Sequence, residues 1–338
     1  MGQVFLTAAN AVLPIVLMIL LGYCLKRTGF FTETFLAIGN KLVFKICLPI
    51  TLFMSVYSIE SLHNVGWDVV VYCLILTFAI FALGLVTAMH TTKVIARRGV
   101  MLQCIFRSNF AIIGLPLAAS VGGSQAEAVA AVVTAFLVPL FNVLAVISLT
   151  LFDDKQKNRH MGAVFINILK NPLILGIAAA FVCQLVRQTQ VSVMGKTVFT
   201  LKNQLPFLYA VFTQLKNCTT PLALMVLGGQ FAFSAAKGMM KEIAVGTLWR
   251  VVLAPVIGVG AAVILSRCTE LINFGPNEYP VLVGLFGSPV AVSSAIMAKQ
   301  MGADNQLATQ YVVWTSICSM VTVFLLVSGM IAMGLLAT

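Results

Sequence analysis

A chain of 338 residues that is 60% hydrophobic and only 9% charged, with a mean hydropathy of +1.02, lies outside the range of soluble domains, which carry about 25% charged residues. This excludes a soluble enzyme or binding module and makes the chain an all-α polytopic integral membrane protein. The net charge of +11 sits mostly in short loops between apolar runs, so it reads as orientation in the membrane and not as a nucleic-acid surface.

No basic segment precedes the first apolar run, and Lys26 and Arg27 follow it. The run is therefore expected to stay as a membrane helix and not to leave as a signal peptide. Ten runs come near the roughly 20 residues that span a core of about 30 Å: 5–25, 35–57, 69–89, 99–120, 126–152, 164–186, 206–233, 243–265, 279–299 and 307–336. Twelve Lys and Arg residues follow the odd-numbered runs, among them Lys93, Arg97, Arg98 and Lys299, and four follow the even-numbered ones. That bias places the odd loops in the cytoplasm and both termini outside, in the cell inner (plasma) membrane.

The two halves resemble each other. Pro14 answers Pro172, the Cys47-Leu48-Pro49 step answers Cys218-Thr219-Thr220-Pro221, Pro116 answers Pro289, and the turn at Gly122-Gly123 answers that at Gly302-Ala303. Five spans per half is an odd number, so the second half enters the membrane from the opposite side. The organisation expected is a first five-helix repeat over 1–152, a cytoplasmic linker over 153–163 and a second, inverted repeat over 164–338.

Two runs contain breaks. The fourth carries RSNFAIIGLPL, Arg107 to Leu117, and the ninth carries FGSPVAVSS, Phe286 to Ser294. Lipid cannot satisfy freed backbone groups, so a break needs protein or a water-filled cavity around it. Paired breaks in matching positions point to a transporter's substrate site. A helix that restarts after Pro116 or Pro289 would present unpaired N–H groups and a positive dipole end, with Asn109, Ser288, Ser293 and Ser294 beside it.

With Lys170 and Lys299, near the ends of their runs, counted with the loops, five cations, Lys41, Lys45, Arg107, Lys216 and Arg250, lie within the spans, where each costs about 2.5–3.5 kcal/mol on insertion scales. At about 1.5 Å per residue, Lys45, Lys216 and Arg107 fall near the midplane. Nine of the ten carboxylates fall in loops or helix ends, and Glu127 alone falls within a span, near its outer mouth. Midplane cations without midplane anions point to a bound anion held by Arg107, Lys45 and Lys216, or to lysines that lose their protons. For Lys41 and Arg250 the favoured reading is snorkelling to the cytoplasmic surface; for Lys45 snorkelling and anion binding stand level. Arg107 is read as a ligand, with capping of carbonyls freed by the kink as its alternative. Asn142 and Gln230 are read as joining helices, while Gly228 and Gly229 permit close packing.

The eight cysteines are scattered, with no CxxC pair, and His63, His90 and His160 lie in or beside loops. Neither set offers a metal or disulfide framework, and no HExxH or GxSxG motif suggests an enzyme. No cofactor is expected.

The motifs NKLVFKICLPITLF, FRSNFAIIGLPLA, NPLIL, TTPLALMVLGG and SPVAVSSAIMAKQMGAD, in this order and spacing across nearly the whole chain, resemble the auxin efflux carrier family in its bacterial branch. The resemblance implies ten transmembrane helices in a fold related to bile-acid and sodium symporters. Helices one, two, six and seven would form a scaffold, and three to five and eight to ten a moving core in which the broken fourth and ninth helices cross. It also implies a substrate-lining role for Asn109, Pro116 and Pro289, and carboxylate cargo: auxin in plants, dicarboxylates such as malate or malonate in some bacteria. The short join between the fifth and sixth helices favours the bacterial reading. Dimerisation through the scaffold is an expectation the resemblance alone carries.

The function expected is secondary transport of a small organic anion by alternating access, proton-linked or potential-driven, with membrane lipid as the other partner. A sodium-coupled symporter is the close variant, using oxygens such as those of Ser293, Ser294, Thr219 and Gln310. A non-transporting receptor is the alternative of another class.

Overall fold

The computed structural model describes residues 2–57, 67–152, 170–194, 199–231, 233–268 and 274–336. The linker expected at 153–163, with Lys155, Lys157 and Arg159, lies outside the described residues, as do Lys196, His63 and His160. Among the described residues the chain is helical, and its sole extended pairing is an isolated antiparallel bridge between Ser108 and Val290. Among the described residues six stretches are long and apolar enough to cross a membrane: Glu33–Met54, Trp67–Thr91, Phe110–Leu151, Pro172–Val191, Met240–Cys268 and Asn305–Ala332. The protein is therefore an all-α, multi-pass membrane protein.

The helices in chain order are α1 (Gly2–Arg27), α2 (Glu33–Leu42), α3 (Leu48–Tyr57), α4 (Trp67–Thr91), α5 (Ile95–Phe106) and α6 (Leu115–Leu151). They continue with α7 (Pro172–Met194), the single turn α8 (Leu201–Gln204), α9 (Pro206–Gln230), α10 (Met240–Leu248), α11 (Ala254–Cys268), α12 (Glu278–Gly287), α13 (Ser293–Gln300) and α14 (Asn305–Ala332). Within α6 two helices meet across a kink at Gly123, whose φ of 71° favours glycine. The loop before α14 turns on Gly302, at φ 76°.

Among the described residues three joins between helical segments are widened π turns: Val43–Cys47, Phe110–Gly114 and Trp249–Leu253. Each is followed two residues later by a proline, namely Pro49, Pro116 and Pro255. Proline has no N–H to donate, and its ring crowds the carbonyl four residues back. The helix yields by lengthening one turn, so the amides of Leu48, Leu115 and Ala254 reach back five residues to the carbonyls of Val43, Phe110 and Trp249. Pro116 accordingly widens a helix that continues through it. The true interruption lies upstream, at Arg107 to Asn109.

Two sets of closely packed helices stand out, and α1 against α14 joins them. α1 packs along α9, and α3 packs on α7 and α9. The α1–α9 approach is close because Gly228 lacks a side chain: a Cβ there would overlap the Ile19 carbonyl. The second group surrounds the Ser108–Val290 bridge, with α6 on α12, α5 on α4 and α6, and α14 on α10 and α13. At one end of this group a polar knot joins three helix starts. Arg97 before α5's second turn donates Nη1 to Glu242 of α10 at 3.0 Å and Nε to Asp304 at 2.9 Å. Asp304 also caps α14 by accepting the Leu307 N–H at 3.0 Å, and Thr92 donates to Glu242 at 3.0 Å.

Candidate functional site

The site is built where two helices stop short and run past each other. α5 ends at Phe106, and Arg107 is extended (φ −87°, ψ 110°). α12 ends at Gly287, and Ser288 is extended (φ −65°, ψ 148°) before α13 begins at Ser293. The two extended segments pair antiparallel through Ser108 and Val290, and the Asn109 N–H donates to the Pro289 carbonyl at 2.8 Å. Thr315 of α14 accepts the Val290 N–H at 3.1 Å. These bonds meet the need of backbone that has left the helix inside an apolar layer. The crossing is tight: a Cβ on Gly114 would overlap the Gly284 carbonyl, and a Cβ on Gly284 would overlap that of Gly114.

Both helices leave carbonyls unpaired where they stop, and one side chain takes them. Arg250, in the π turn between α10 and α11, is 1% exposed. Its Nη1 donates to the carbonyls of Ile105 and Phe106 at 3.3 and 3.2 Å. Its Nη2 donates to those of Leu285, at 3.3 Å, and Phe286. Snorkelling, expected for this residue, is ruled out: the side chain turns inward because four carbonyls from two helix ends converge on it. Capping was expected of Arg107 as its second reading, and Arg250 performs it instead.

Arg107 faces the other way, onto a cavity of about 760 Å3. It is 2% exposed and its partners are neutral. Nη1 donates to Gln103 Oε1 at 3.0 Å and Met297 Sδ at 2.8 Å; Nη2 donates to Asn142 Oδ1 at 2.6 Å and Ser293 Oγ at 2.7 Å. Hydrogen bonds to a charged group contribute about 1.5–3 kcal/mol each, which explains how the charge is held without a carboxylate. Among the described residues neither Arg107 nor Lys216 enters an ion pair.

The cavity lies between the two helix groups. On one side stand Leu48, Thr51 and Leu52 of α3 with Lys216, Asn217, Thr219 and Thr220 of α9; on the other stand Arg107 to Asn109, the α6 stretch from Ala131 to Asn142, and Ala291 to Ser293. Among the described residues two cations and no carboxylate line it. Asn109 is buried on its wall, and its Nδ2 has no partner. A buried donor left unmatched costs about 1–3 kcal/mol, a cost that a ligand acceptor would remove. The helix resumes beside the cavity at Phe110 and at Ser293, which adds partial positive charge on the same side.

Of the residues singled out from sequence, Arg107, Asn109 and Ser293 line the cavity from the crossing side and Lys216 from the α9 side. Ser288, Pro289 and Ser294 lie in the crossing but off the wall; Ser288 donates to the Gly284 carbonyl at 2.6 Å. Pro116 is exposed and off the wall. Lys41 and Lys45 are exposed on the outer face of α2 and its π turn, so Lys45 does not join Arg107. Asn142, read as a helix joiner, both holds Arg107 and lines the cavity. Gln310 is buried and accepts from Trp314 at 3.0 Å, away from the wall.

Sequence reasoning passed over Gln103, Met297 and Thr51. Gln103 carried a usable signal, as an amide one turn before Arg107 in an apolar run. Thr51 meets Thr219 at 2.9 Å across the cavity wall, a pairing that only the fold reveals.

The family described as membrane transport protein, the auxin efflux carrier family, matches residues 7–327. A comparison with curated proteins gives no match.

Proposed function

The chain belongs to the auxin efflux carrier family of membrane transport proteins, and from that membership we propose that it moves a small organic anion across the membrane by alternating access. The observation that carries the choice of an anion is that Arg107 and Lys216 line one cavity from its two sides, with no lining carboxylate among the described residues. The unmatched Asn109 amide supplies a further donor. A cavity of about 760 Å3 accommodates a dicarboxylate or an auxin-like acid.

On this reading the α1, α2–α3, α7 and α9 group is the scaffold, and the group around the crossing is the core that carries the anion past it. The paired breaks at 107–109 and 288–292, the mutual Gly114–Gly284 approach and the positive φ at both Gly123 and Gly302 support two inverted five-helix repeats with ten spans. The loop-charge bias supports termini outside the plasma membrane. Coupling to protons or to the membrane potential fits a wall that lacks carboxylates. Dimerisation through the scaffold stays part of the proposal.

Uptake into proteoliposomes tests the reading. Labelled malate, malonate, lactate and indole acetate are offered with proton and sodium gradients imposed separately. Accumulation of at least one acid under a proton gradient or potential is expected. If none moves under any gradient, the carrier reading falls; if movement requires sodium, the coupling assignment falls.

A further inference from the structure

Anion transport leaves Arg250 without a task. It does not line the cavity, and a neutral side chain at a membrane-buried position avoids the cost of a charge. Its four carbonyl partners belong to Ile105, Phe106, Leu285 and Phe286. The chain that follows each pair, Arg107 to Asn109 and Ser288 to Ser293, forms the crossing and contributes to the cavity wall. The C-terminus of a helix carries about −0.5 elementary charge. Two such ends, α5 and α12, converge behind the site and sum to about −1, the charge one guanidinium balances.

We propose that Arg250 is a positioning residue for anion selectivity: it cancels the negative ends of both half-helices, so that Arg107 and the resumed helix starts at Phe110 and Ser293 act unopposed on the ligand. The proposal rests on the anion reading above. Arginine suits the task because its planar fork offers donors to both helix ends at once and stays charged. A purely structural cap would need the donors alone. An electrostatic one needs the charge, and its effect must grow with the charge of the ligand.

The test measures affinities of lactate, a monoanion, and malonate, a dianion at neutral pH, for purified protein and for Arg250→Gln and Arg250→Lys, each corrected for the folded fraction. Arg250→Gln is expected to weaken lactate binding about tenfold and malonate binding about a hundredfold, the order for a unit charge acting across a helix diameter at an effective dielectric of about 20. Arg250→Lys is expected to keep the malonate-to-lactate ratio of the unaltered protein. Equal losses for both anions in Arg250→Gln, or a collapsed ratio in Arg250→Lys, overturn the proposal. If both variants fail to fold, Arg250 belongs to the fold alone and the proposal is likewise overturned. Unaltered protein that binds neither anion defeats the transport reading itself, and so is distinguishable from these outcomes.

Discussion

Asn109 and Pro289 sit 180 positions apart in the chain, yet the N–H of the first bonds to the carbonyl of the second at 2.8 Å. That contact fixes two interrupted helices against each other and sets Arg107 and Ser293 on one wall. The consequences can be tested separately for charge, packing and the distant polar knot.

Replacing Arg107 by Ala removes four donor contacts, all to neutral side chains that can pair among themselves or with water. Binding of a carboxylate is expected to fall at least about tenfold, by loss of one charge-assisted contact of about 1.5–3 kcal/mol. Folding, read by gel filtration and thermal unfolding in detergent, is expected to persist. Unchanged affinity in calorimetry removes Arg107 from the site.

The two lysines separate cleanly. Lys216→Gln should weaken anion binding about threefold to tenfold, as expected for one solvent-screened point charge on the wall. Lys45→Gln should leave affinity as it was, because Lys45 points outward from the α2 π turn. An affinity that falls with Lys45 and holds with Lys216 would reverse the assignment of the wall.

At the crossing, Gly114→Ala and Gly284→Ala each push a methyl group into the opposite backbone. Overpacking of this kind costs about 1–3 kcal/mol. Because both changes strain one contact, the double variant is expected to lose less than the sum of the singles. Denaturant unfolding measures this, and strict additivity would show that the two glycines do not share the contact.

Asp304→Asn removes one of the two carboxylates on Arg97 while keeping a side-chain oxygen that can accept the Leu307 N–H at the start of α14. With both partners mostly buried, a loss of about 1–3 kcal/mol in stability is expected. The anion affinity of folded protein should not change, since the knot lies off the cavity wall. A Kd that shifts along with stability would tie the knot to binding.

Much of this arrangement was legible in the chain because its causes are local. Apolar run length marks membrane helices, and the cation in RSNFAIIGLPL marks an interrupted one. Pro116 misled as to the place of the break. Its chemistry acts four residues back, which widens Phe110–Gly114 without ending the helix. Nothing in Arg107-Ser108-Asn109 forbids helix, so the stop there depends on Arg250 and on pairing with residues 289 and 290. Depth along a helix placed Lys45 near Arg107, but depth does not give the facing direction, and Lys45 faces out. The inward turn of Arg250 had no signal of its own, because its partners are backbone carbonyls of two helices distant in sequence. The same holds for Thr51, whose partner Thr219 lies 168 positions away.

The most direct test of an anion held by Arg107 is a structure determined with malonate present. The expected result is malonate in the cavity between α3, α9 and the crossing, with carboxylate oxygens within hydrogen-bonding distance, about 3 Å, of the Arg107 guanidinium and the Asn109 amide. Malonate bound elsewhere, or a cavity that excludes it at saturating concentration, would contradict the account.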